Sequence, residues 1–424
     1  MKLAVWCPMP PSPSGIADYA AEQLPFLSER FEVAVVAEAP AARPEADVDL
    51  YQLGNSPAHG FVYRAALERP GVLLLHEWSL HHLVLSLTVE QGDAASYLRQ
   101  MRRVYGERGS FLGRQVARAL GGPLWPALYP LCERILQASL AVVALTRFVA
   151  ERARPRVAPR PVLHLPHHLS LPLEPLPERR DARRELGLPV AAPIVTAPGL
   201  ATVSKRLDVA LRAVVRLRRR FPDLRLCVAG GVEPGLPLEA WAASDPAALV
   251  VTGRLDLDAF LRHLVAADLV LALRFPTHGE ISGALVRSLG AGRAALVTAG
   301  TPAAEEFPEG LVVPIDPDRG EEEELVALIG TLLEDAALRE RIGGRARAHV
   351  LRHHGLRDAT TRLADFLVEV ASRREELAAL VRLEPEAEAG LYAQLLDEVR
   401  FAAQDLGLAQ LPGGIEDDLR SLAP

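Results

Sequence analysis

Side chains that could do chemistry are concentrated in the segment LVLALRFPTHGEISGALVRSLGAG, residues 269–292. An apolar run ends at Arg274, and His278 and Glu280 follow in a short polar loop. A helical pattern then begins with three residues whose free backbone amides would suit an anion: Ile281, Ser282 and Gly283. A ligand with both hydroxyl and phosphate groups would explain this combination, because Glu280 would accept O–H bonds while the amides hold phosphates. The alternative is an ordinary loop in which Glu280 caps its own helix.

A second candidate anion site lies in the segment GLATVSKRLDVALRAV, which starts at Gly199. The chain has two lysines, Lys2 and Lys205, among 47 basic residues, so a lysine at this place is unusual. Gly199 ends a predicted strand, and Lys205 and Arg206 stand at the start of the following helix. Cations at a helix N terminus oppose the helix dipole, and a bound anion would offset that cost.

Two loops in the first half of the chain contain further candidate ligand-binding residues. In PMPPSPSGIADYAAEQL, a proline-stiffened loop leads to Gly15 at a helix start, where an anion could approach the backbone closely. A simple proline-stiffened turn is the alternative. In HEWSLHHL, His76 is predicted to end a strand and point into a cleft, unless it is an ordinary hydrogen-bonded histidine. The spacing of His76 and His81 does not suit a zinc site on one helix face, and His81 and His82 are predicted to lie on a helix surface.

The elements around these candidates predict an α/β fold. Short Val, Leu and Ala runs alternate with amphipathic helical patterns, as in parallel βαβ units. Six such runs precede residue 167 and six lie between 194 and 315, so we expect two Rossmann-like, doubly wound halves facing a shared cleft. A proline-dense stretch, 166–193, is the predicted linker. The expected organisation is a first domain over 1–170 with inserted helices at 88–138, a second domain over 171–350, and a helical C-terminal segment over 351–424.

Composition limits the class of protein. A net charge of −7 and an aromatic content of 5% argue against a nucleic-acid-binding protein. Three widely spaced cysteines without a CxxC motif indicate neither a disulfide framework nor a structural zinc site, and they favour the cytoplasm. We find no apolar run long enough to span a membrane, whereas contact with a membrane surface stays open.

Six segments in order resemble the GT-B glycosyltransferases, specifically the large retaining family, family 4, of glycogen-synthase-like mannosyl- and glucosyltransferases. These segments are PPSPSGIADYAAEQL, LLLHEWSLHHL, GLATVSKRLDVALRAV, LRLCVAGG, VVTGR and RFPTHGEISGALVRSLGAG. The resemblance covers most of residues 1–350. It implies transfer of a hexosyl group from a nucleoside-diphosphate sugar to an acceptor hydroxyl, with retained anomeric configuration and without a required metal or cofactor. The first domain would bind a carbohydrate or lipid-linked acceptor.

The resemblance also implies roles for individual residues. Gly15 would lie near the donor phosphates, and His76 would contact the transferred sugar. Lys205 would bind the donor diphosphate, and Glu280 would contact the donor-sugar hydroxyls. Further donor contacts are expected from the following residues: Gly199, Arg206, Arg254, His278, Ile281, Ser282, Gly283 and Ser288.

Two positions depart from the family pattern. Leu200 stands where the family often has Arg, and Arg206 or Arg254 would have to replace it. Ser288 stands where the family has a second glutamate, eight residues after Glu280, that usually holds the nucleotide ribose. These departures keep open a catalytically degenerate scaffold or binding protein of the same fold. A dinucleotide-dependent oxidoreductase is disfavoured, because no GxGxxG follows the first strand. The oligomeric state stays open.

Overall fold

The computed structural model describes residues 1–12, 14–172 and 175–381, together with positions 399 and 414. Two sheets of six parallel strands, each covered by helices, form the two halves of the described chain. The first sheet contains β1 (Lys2–Trp6), β2 (Glu32–Val36), β3 (Val48–Leu53), β4 (Val72–Leu75), β5 (Ala141–Ala144) and β6 (Val162–His164). The second contains β7 (Ile194–Pro198), β8 (Arg225–Ala229), β9 (Leu249–Val251), β10 (Leu269–Ala272), β11 (Ala294–Thr298) and β12 (Val313–Ile315). The predicted α/β class with two doubly wound sheets is confirmed.

Strand order explains why the loops of interest meet. The first sheet runs β2-β1-β3-β4-β5-β6, and the second runs β12-β11-β10-β7-β8-β9. The direction of winding therefore reverses between β1 and β3 in one sheet and between β7 and β10 in the other. Ligands of open α/β sheets bind at such switch points, beyond the carboxyl ends of the strands. The loops after β1, β7 and β10 are those that carry Gly15, Lys205 and Glu280.

Seventeen α-helices are present in the described residues. The first half holds α1 (Gly15–Leu27), α2 (Gly60–Glu68), α3 (His81–Leu87), α4 (Ala94–Ala117), α5 (Trp125–Leu128), α6 (Glu133–Ala138) and α7 (Arg147–Val157). The second half holds α8 (Arg179–Glu185), α9 (Leu207–Leu217), α10 (Leu238–Trp241), α11 (Leu257–Ala266), α12 (Gly283–Gly290), α13 (Pro302–Glu305), α14 (Glu321–Glu334) and α15 (Ala336–His353). Then follow α16 (Leu356–Ser372) and α17 (Arg374–Ala378). Between residues 88 and 138 only helices and turns occur, as predicted. None of the helices in the described ranges is both long and apolar enough to cross a membrane.

The chain passes between the halves twice, and the two crossings are hydrogen-bonded to each other. The Leu169 amide donates to the His354 carbonyl at 2.6 Å, and the His354 ring lies 2.7 Å from the His167 carbonyl. Beyond this point α16 packs against α1 of the first half, and Arg357 pairs with Glu29 at 2.9 Å. The described part of the segment 351–424 therefore belongs structurally to the first half. Most of 382–424 lies outside the described residues.

Close packing of α15 on the loop after α12 depends on one glycine. Gly343 is buried, and a Cβ atom added there would lie 2.1 Å from the Gly292 carbonyl oxygen. The neighbouring Gly344 is exposed, and a Cβ atom there would meet no atom within 4 Å. These two adjacent helical glycines thus form a matched pair that differs in packing.

We expect Gly343→Ala to lower the free energy of unfolding by about 1–3 kcal/mol, because the helix must move away from a backbone oxygen. Gly344→Ala should instead leave stability unchanged or raise it by about 0.5–1 kcal/mol, the usual gain of Ala over Gly in a helix. Urea unfolding of both variants measures the difference. Equal effects at the two positions would contradict this account of the packing.

Candidate functional site

Lys205 and Glu280 line the same small cavity at the carboxyl edge of the second sheet. The cavity has a volume of about 20 Å³, enough for one water-sized group, and Arg274 and Ser282 also line it. Lys205 ends a short turn after β7, and α9 begins two residues later. Glu280 comes from the loop between β10 and α12. The topological switch point between β7 and β10 thus joins two residues that are 75 positions apart in the chain.

The carboxylate of Glu280 is held within its own loop. One oxygen lies 2.9 Å from Arg274 Nε, and the other accepts from the His278 amide at 2.7 Å and from the Thr277 hydroxyl at 3.2 Å. These contacts explain why an arginine and a glutamate bracket the loop: their ion pair closes it. They also fit the alternative in which Glu280 stabilises its own loop. The carboxylate remains at the cavity wall, where it is only partly buried.

The Lys205 amine is held where its charge is costly. It donates to the Pro198 carbonyl, and no carboxylate lies within 4 Å of it among the described residues. Burial, and then the charge of Arg274, lower the pKa of this amine well below its usual value. Gly199, with φ of +80°, allows the approach, since a Cβ atom there would lie 3.3 Å from Lys205 Nζ. An anion in the cavity would restore the favourable environment that the ammonium lacks.

The N terminus of α12 completes this side of the cleft. Ser282 is the N-cap residue, and its side chain makes no capping hydrogen bond, so the first-turn amides keep their donors available. Gly283 permits a close approach from the first half, because a Cβ atom there would lie 2.9 Å from His167 Nε2. Ile281 is buried, so only its backbone could serve a ligand. The arrangement is that of a helix N terminus prepared for an anion.

The loop between β10 and α12 is fixed against the first half. The His278 carbonyl accepts from the amides of Trp78 at 2.7 Å and Ser79 at 3.0 Å. The Thr146 hydroxyl donates to the Gly279 carbonyl at 3.2 Å. Gly279 has φ of +88°, and a Cβ atom there would lie 2.7 Å from Trp78 Cβ, so the contact requires glycine. The His278 backbone therefore joins the two halves.

The ring of His278 faces the first half as well. Its Nδ1 lies 3.7 Å from Glu77 Oε2. Burial alone would lower the pKa of His278, but Glu77 and Glu280 outweigh it and raise that pKa. Burial raises the pKa of Glu77. The sequence interpretation missed Glu77, although it stands beside His76 in the motif HEWSLHHL, because nothing in a single sequence pairs it with residue 278.

His76 lies where the prediction placed it, directly after β4. It is 8% exposed, and its Nε2 lies 3.1 Å from Gln52 Oε1. Burial lowers the pKa of His76 well below its ordinary value, so the ring is neutral. Tyr19 of α1 packs edge-on against it at 4.9 Å between ring centroids. Both the cleft interpretation and the ordinary hydrogen-bonded histidine remain compatible with this position.

Two further histidines lie beside His76, in the segment that the sequence analysis interpreted as a linker. His167 and His168 both pack on Tyr19, at 4.8 and 4.2 Å between centroids. His168 Nε2 lies 2.8 Å from Glu22, whose other oxygen accepts from Arg287 at 2.6 Å. This chain of contacts ties α1 to α12 across the gap. The proline-dense composition of the segment concealed its histidines.

The remaining predicted residues occupy varied positions. Gly15 starts α1, is exposed, and leaves open space above its backbone. Arg206 precedes α9, but its guanidinium is bonded to the buried Glu321, with Nε 3.0 Å from Oε2. Arg254 is exposed in the loop after β9, and its charge lowers the pKa of Asp18 in α1, against the larger effect of burial, which raises that pKa. Leu200 lies two residues after the end of β7 and is 53% exposed.

Two sequence predictions are wrong. Ser288 is fully buried, and its hydroxyl donates to the Ala284 carbonyl at 2.7 Å, one turn earlier in α12, so it offers no group to a donor. His81 is 1% exposed rather than on a helix surface. Its ring contacts the Tyr129 carbonyl at 2.5 Å and the Tyr97 hydroxyl at 3.0 Å. In the described ranges no group of three or more His, Cys, Asp or Glu side chains is arranged to hold a metal ion.

The chain was compared with protein-family models and with solved structures. A family model described as glycosyl transferase-like matches residues 209–367, less than half of the chain. The structure superposes on sucrose-phosphate synthase from Thermosynechococcus elongatus with a TM-score of 0.61 and 13% identity, covering 88% of this chain and 100% of that one. Anabaena HepE, in complex with UDP and glucose, gives 0.59 and 15%, with coverage of 87% and 100%. WaaG, a glycosyltransferase involved in lipopolysaccharide biosynthesis, gives 0.55 and 16%, with coverage of 86% and 99%.

These similarities show that the chain has the GT-B fold of glycosyltransferases. At identities of 16% or less, they establish the fold and not the activity. No curated protein sequence matches the chain significantly.

The buried amine gives a stability prediction. In the window between the lowered pKa of Lys205 and the ordinary lysine value of about 10.4, the unfolded chain binds a proton that the folded chain does not, so stability rises with pH. Lys205→Met removes this cost. It should raise the free energy of unfolding of the unliganded protein by about 1–3 kcal/mol at neutral pH and flatten the pH dependence.

Lys2→Met is the control, because Lys2 is the other lysine, and its amine pairs with Glu45 at 2.7 Å on a side chain that is 43% exposed. Thermal denaturation at several pH values measures both variants. A Lys205→Met variant less stable than the parent would show that the amine stabilises the free protein.

Proposed function

We propose that the protein is a retaining glycosyltransferase that moves a hexosyl group from a nucleoside-diphosphate sugar to an acceptor hydroxyl. The observation that carries the proposal is the meeting of Lys205, Glu280 and the open N terminus of α12 around one cavity at a topological switch point. The GT-B fold and the match to a glycosyl transferase-like family model support it. HepE was crystallised with UDP and glucose, which favours a nucleotide-sugar donor here as well.

Leaving-group stabilisation is the proposed source of catalysis. Breaking the bond between the sugar and the diphosphate leaves negative charge on the phosphate oxygens. Lys205 and the first amides of α12 would neutralise that charge, and Arg274 lies at the same cavity. Loss of one such preorganised donor commonly costs about 2.7–4 kcal/mol of barrier. Because the cations and amides supply this stabilisation, we propose that no metal ion is required.

Residues on the first half would contact the transferred sugar. His76 and His167 both pack on Tyr19, and His167 reaches Gly283 at the start of α12. Burial keeps both rings neutral, so they could exchange hydrogen bonds with sugar hydroxyls without a competing charge. Glu280 would accept further hydroxyl bonds once a ligand enters. His76 is thus proposed to lie on the sugar side of the cleft, and Lys205 on the phosphate side.

A catalytically degenerate binding protein of the same fold is the second candidate. It is favoured by Ser288, which is buried where the family has its second glutamate, and by Leu200, which replaces the usual arginine. The engagement of Glu280 by Arg274 fits this candidate too. Both candidates bind a nucleotide sugar, and only one turns it over.

We expect Lys205→Ala to abolish thermal stabilisation by nucleoside-diphosphate sugars, since it removes the ammonium that faces the diphosphate. UDP-, GDP- and ADP-sugars are compared by thermal shift, and Lys2→Ala provides the control lysine. A Lys205→Ala variant stabilised as strongly as the parent would refute the assignment of the phosphate site.

Turnover then separates the two candidates. The donor identified by thermal shift is incubated with the protein, and release of the nucleoside diphosphate is followed together with the anomeric configuration of the product. Release with retained configuration supports the transferase, and Lys205→Ala should slow it by about 10²–10³-fold. Tight binding without release, with or without acceptors, supports the binding protein.

The inserted helices suggest a lipid-linked acceptor. Large apolar side chains are exposed around the end of α4 and in α5, namely Phe111 at 55%, Leu120 at 65% and Leu128 at 63%. Arg108 on α4 is exposed near them in sequence, and Arg102 of the same helix is exposed and pairs with Glu107 at 3.0 Å. Apolar and basic side chains together favour an anionic lipid surface. We propose peripheral contact with the inner face of the membrane, in the cytoplasm, where three buried free cysteines would stay reduced.

Leu120→Ser combined with Leu128→Ser should weaken binding to vesicles that contain phosphatidylglycerol by tenfold or more, because each inserted leucine contributes about 1.5–3 kcal/mol. Leu351→Ser is the control, since Leu351 is 45% exposed on α15 of the second half. Vesicle co-sedimentation measures binding. Equal binding of the double variant and the parent would exclude this surface.

A further inference from the structure

A large cavity lies on the second half at the edge opposite to the cleft. Its volume is about 990 Å³, and Asp268, Arg293 and Ala294 line it where β10 and β11 begin. The cleft residues instead follow the carboxyl ends of β7 and β10. The two sites are therefore separated by the length of the strands, and neither Lys205 nor Glu280 lines this rear cavity.

Arginine dominates the polar lining of the rear cavity. The lining arginines come from α8, from the turn after α12 and from α15: Arg179, Arg180, Arg293, Arg339 and Arg347. The acids that line it are fewer: Glu178, Asp268 and Glu340. Asp268 is already shared, because Arg183 lies 2.6 Å from one oxygen and Arg179 lies 3.0 Å from the other. The cavity therefore carries more positive than negative charge.

Hydrogen bonds within the protein use only some of the N–H donors of these guanidinium groups. Arg293 donates to the carbonyls of Ala291, Val265 and Ala267, and Arg347 donates to the Gly290 carbonyl at 2.8 Å. These bonds cap the C termini of α11 and α12, whose partial negative charge is about half a unit each. Each guanidinium has five N–H donors, so several remain unused.

Three of the arginines have no acidic partner. Among the described residues no carboxylate lies within 4 Å of Arg180, Arg293 or Arg347. Burial, followed by the charge of Arg179, lowers the pKa of Arg293 to about 10. The charge of Asp268 raises this pKa but does not outweigh burial and the positive neighbours, an imbalance that a bound anion would reduce.

We propose that the rear cavity is a binding site for a small molecule that carries a dianionic phosphate group. Planar guanidinium groups bind phosphate oxygens in pairs, which suits the three arginines without acidic partners. The volume lies at the upper end of the range for small-molecule sites, so it leaves room for an organic group attached to the phosphate. Leu176 and Pro177 provide apolar surface for that group.

Substitution of Gly344 offers a direct test of the proposal. This residue is exposed and lines the rear cavity, and a Cβ atom added there would meet no atom within 4 Å. Gly344→Glu places a carboxylate in the cavity, and Gly344→Gln places a neutral side chain of equal size. Neither should disturb the fold, which circular dichroism and thermal denaturation verify. The two variants therefore differ only in charge at the proposed site.

Isothermal titration calorimetry is performed with inorganic phosphate and with phenyl phosphate. All proteins carry Lys205→Ala as well, which removes the ammonium group of the cleft, and the comparison at Gly344 then reports on the rear cavity. The Gly344→Gln protein should bind the probes, and Gly344→Glu should bind them at least tenfold more weakly. Tighter binding of phenyl phosphate identifies a phosphate ester as the ligand, and tighter binding of inorganic phosphate identifies the free anion.

Arg180→Gln should also weaken binding severalfold, because Arg180 is exposed and its guanidinium makes no ion pair within the described residues. Absence of binding by the protein with Gly344 intact, or equal affinities of the Gly344→Gln and Gly344→Glu proteins, would overturn the proposal. Neither measurement depends on glycosyl transfer, so failure of the rear-cavity proposal can be distinguished from failure of the proposed function.

Discussion

The cleft depends on the hydrogen bonds that hold the loop between β10 and α12, which belongs to the second half, against the first half. Trp78 and Ser79 donate their amides to the His278 carbonyl, and Thr146 donates to the Gly279 carbonyl. Backbone partners fix this loop regardless of its side-chain chemistry, and they bring the start of α12 close to His167. Because hydrogen bonds in a water-poor interface are costly to leave unmade, separation of the domains at this point would need new partners for each of these groups.

The two domains are also joined by a common apolar core. Residues of the first sheet, of α12 and of α16 belong to one buried cluster, which includes Leu3, Leu285 and Leu363. The return of the chain through α16 explains this continuity, since α16 packs on α1 of the first half. Motion between the domains is therefore limited by the crossings at His167–Leu169 and His354–Gly355 and by the helices that pack around them.

Basic side chains lie at both edges of the second half, and the groups that offset their charge differ between the two edges. At the cleft, Lys205 lacks an acidic partner and Arg274 is paired with Glu280. At the rear, several arginines share Asp268 and cap helix carbonyls. Elsewhere the arginines of α9 pair with acids of α14, as Arg212 and Arg216 do with Glu322. Both cavities thus contain basic side chains without an acidic partner among the described residues, where an anionic ligand could enter.

The sequence by itself determined the twelve strands, the helical insertion and the positions of Lys205 and Glu280 after their strands. These features depend on apolar runs and on residues close in the chain, which local chemistry controls. Only the tertiary structure decided which groups meet. It buried Ser288 and His81, bonded Arg206 to Glu321, and placed His167 against Gly283. Burial and pairing depend on contacts between residues far apart in the chain, and no pattern within a short window specifies them.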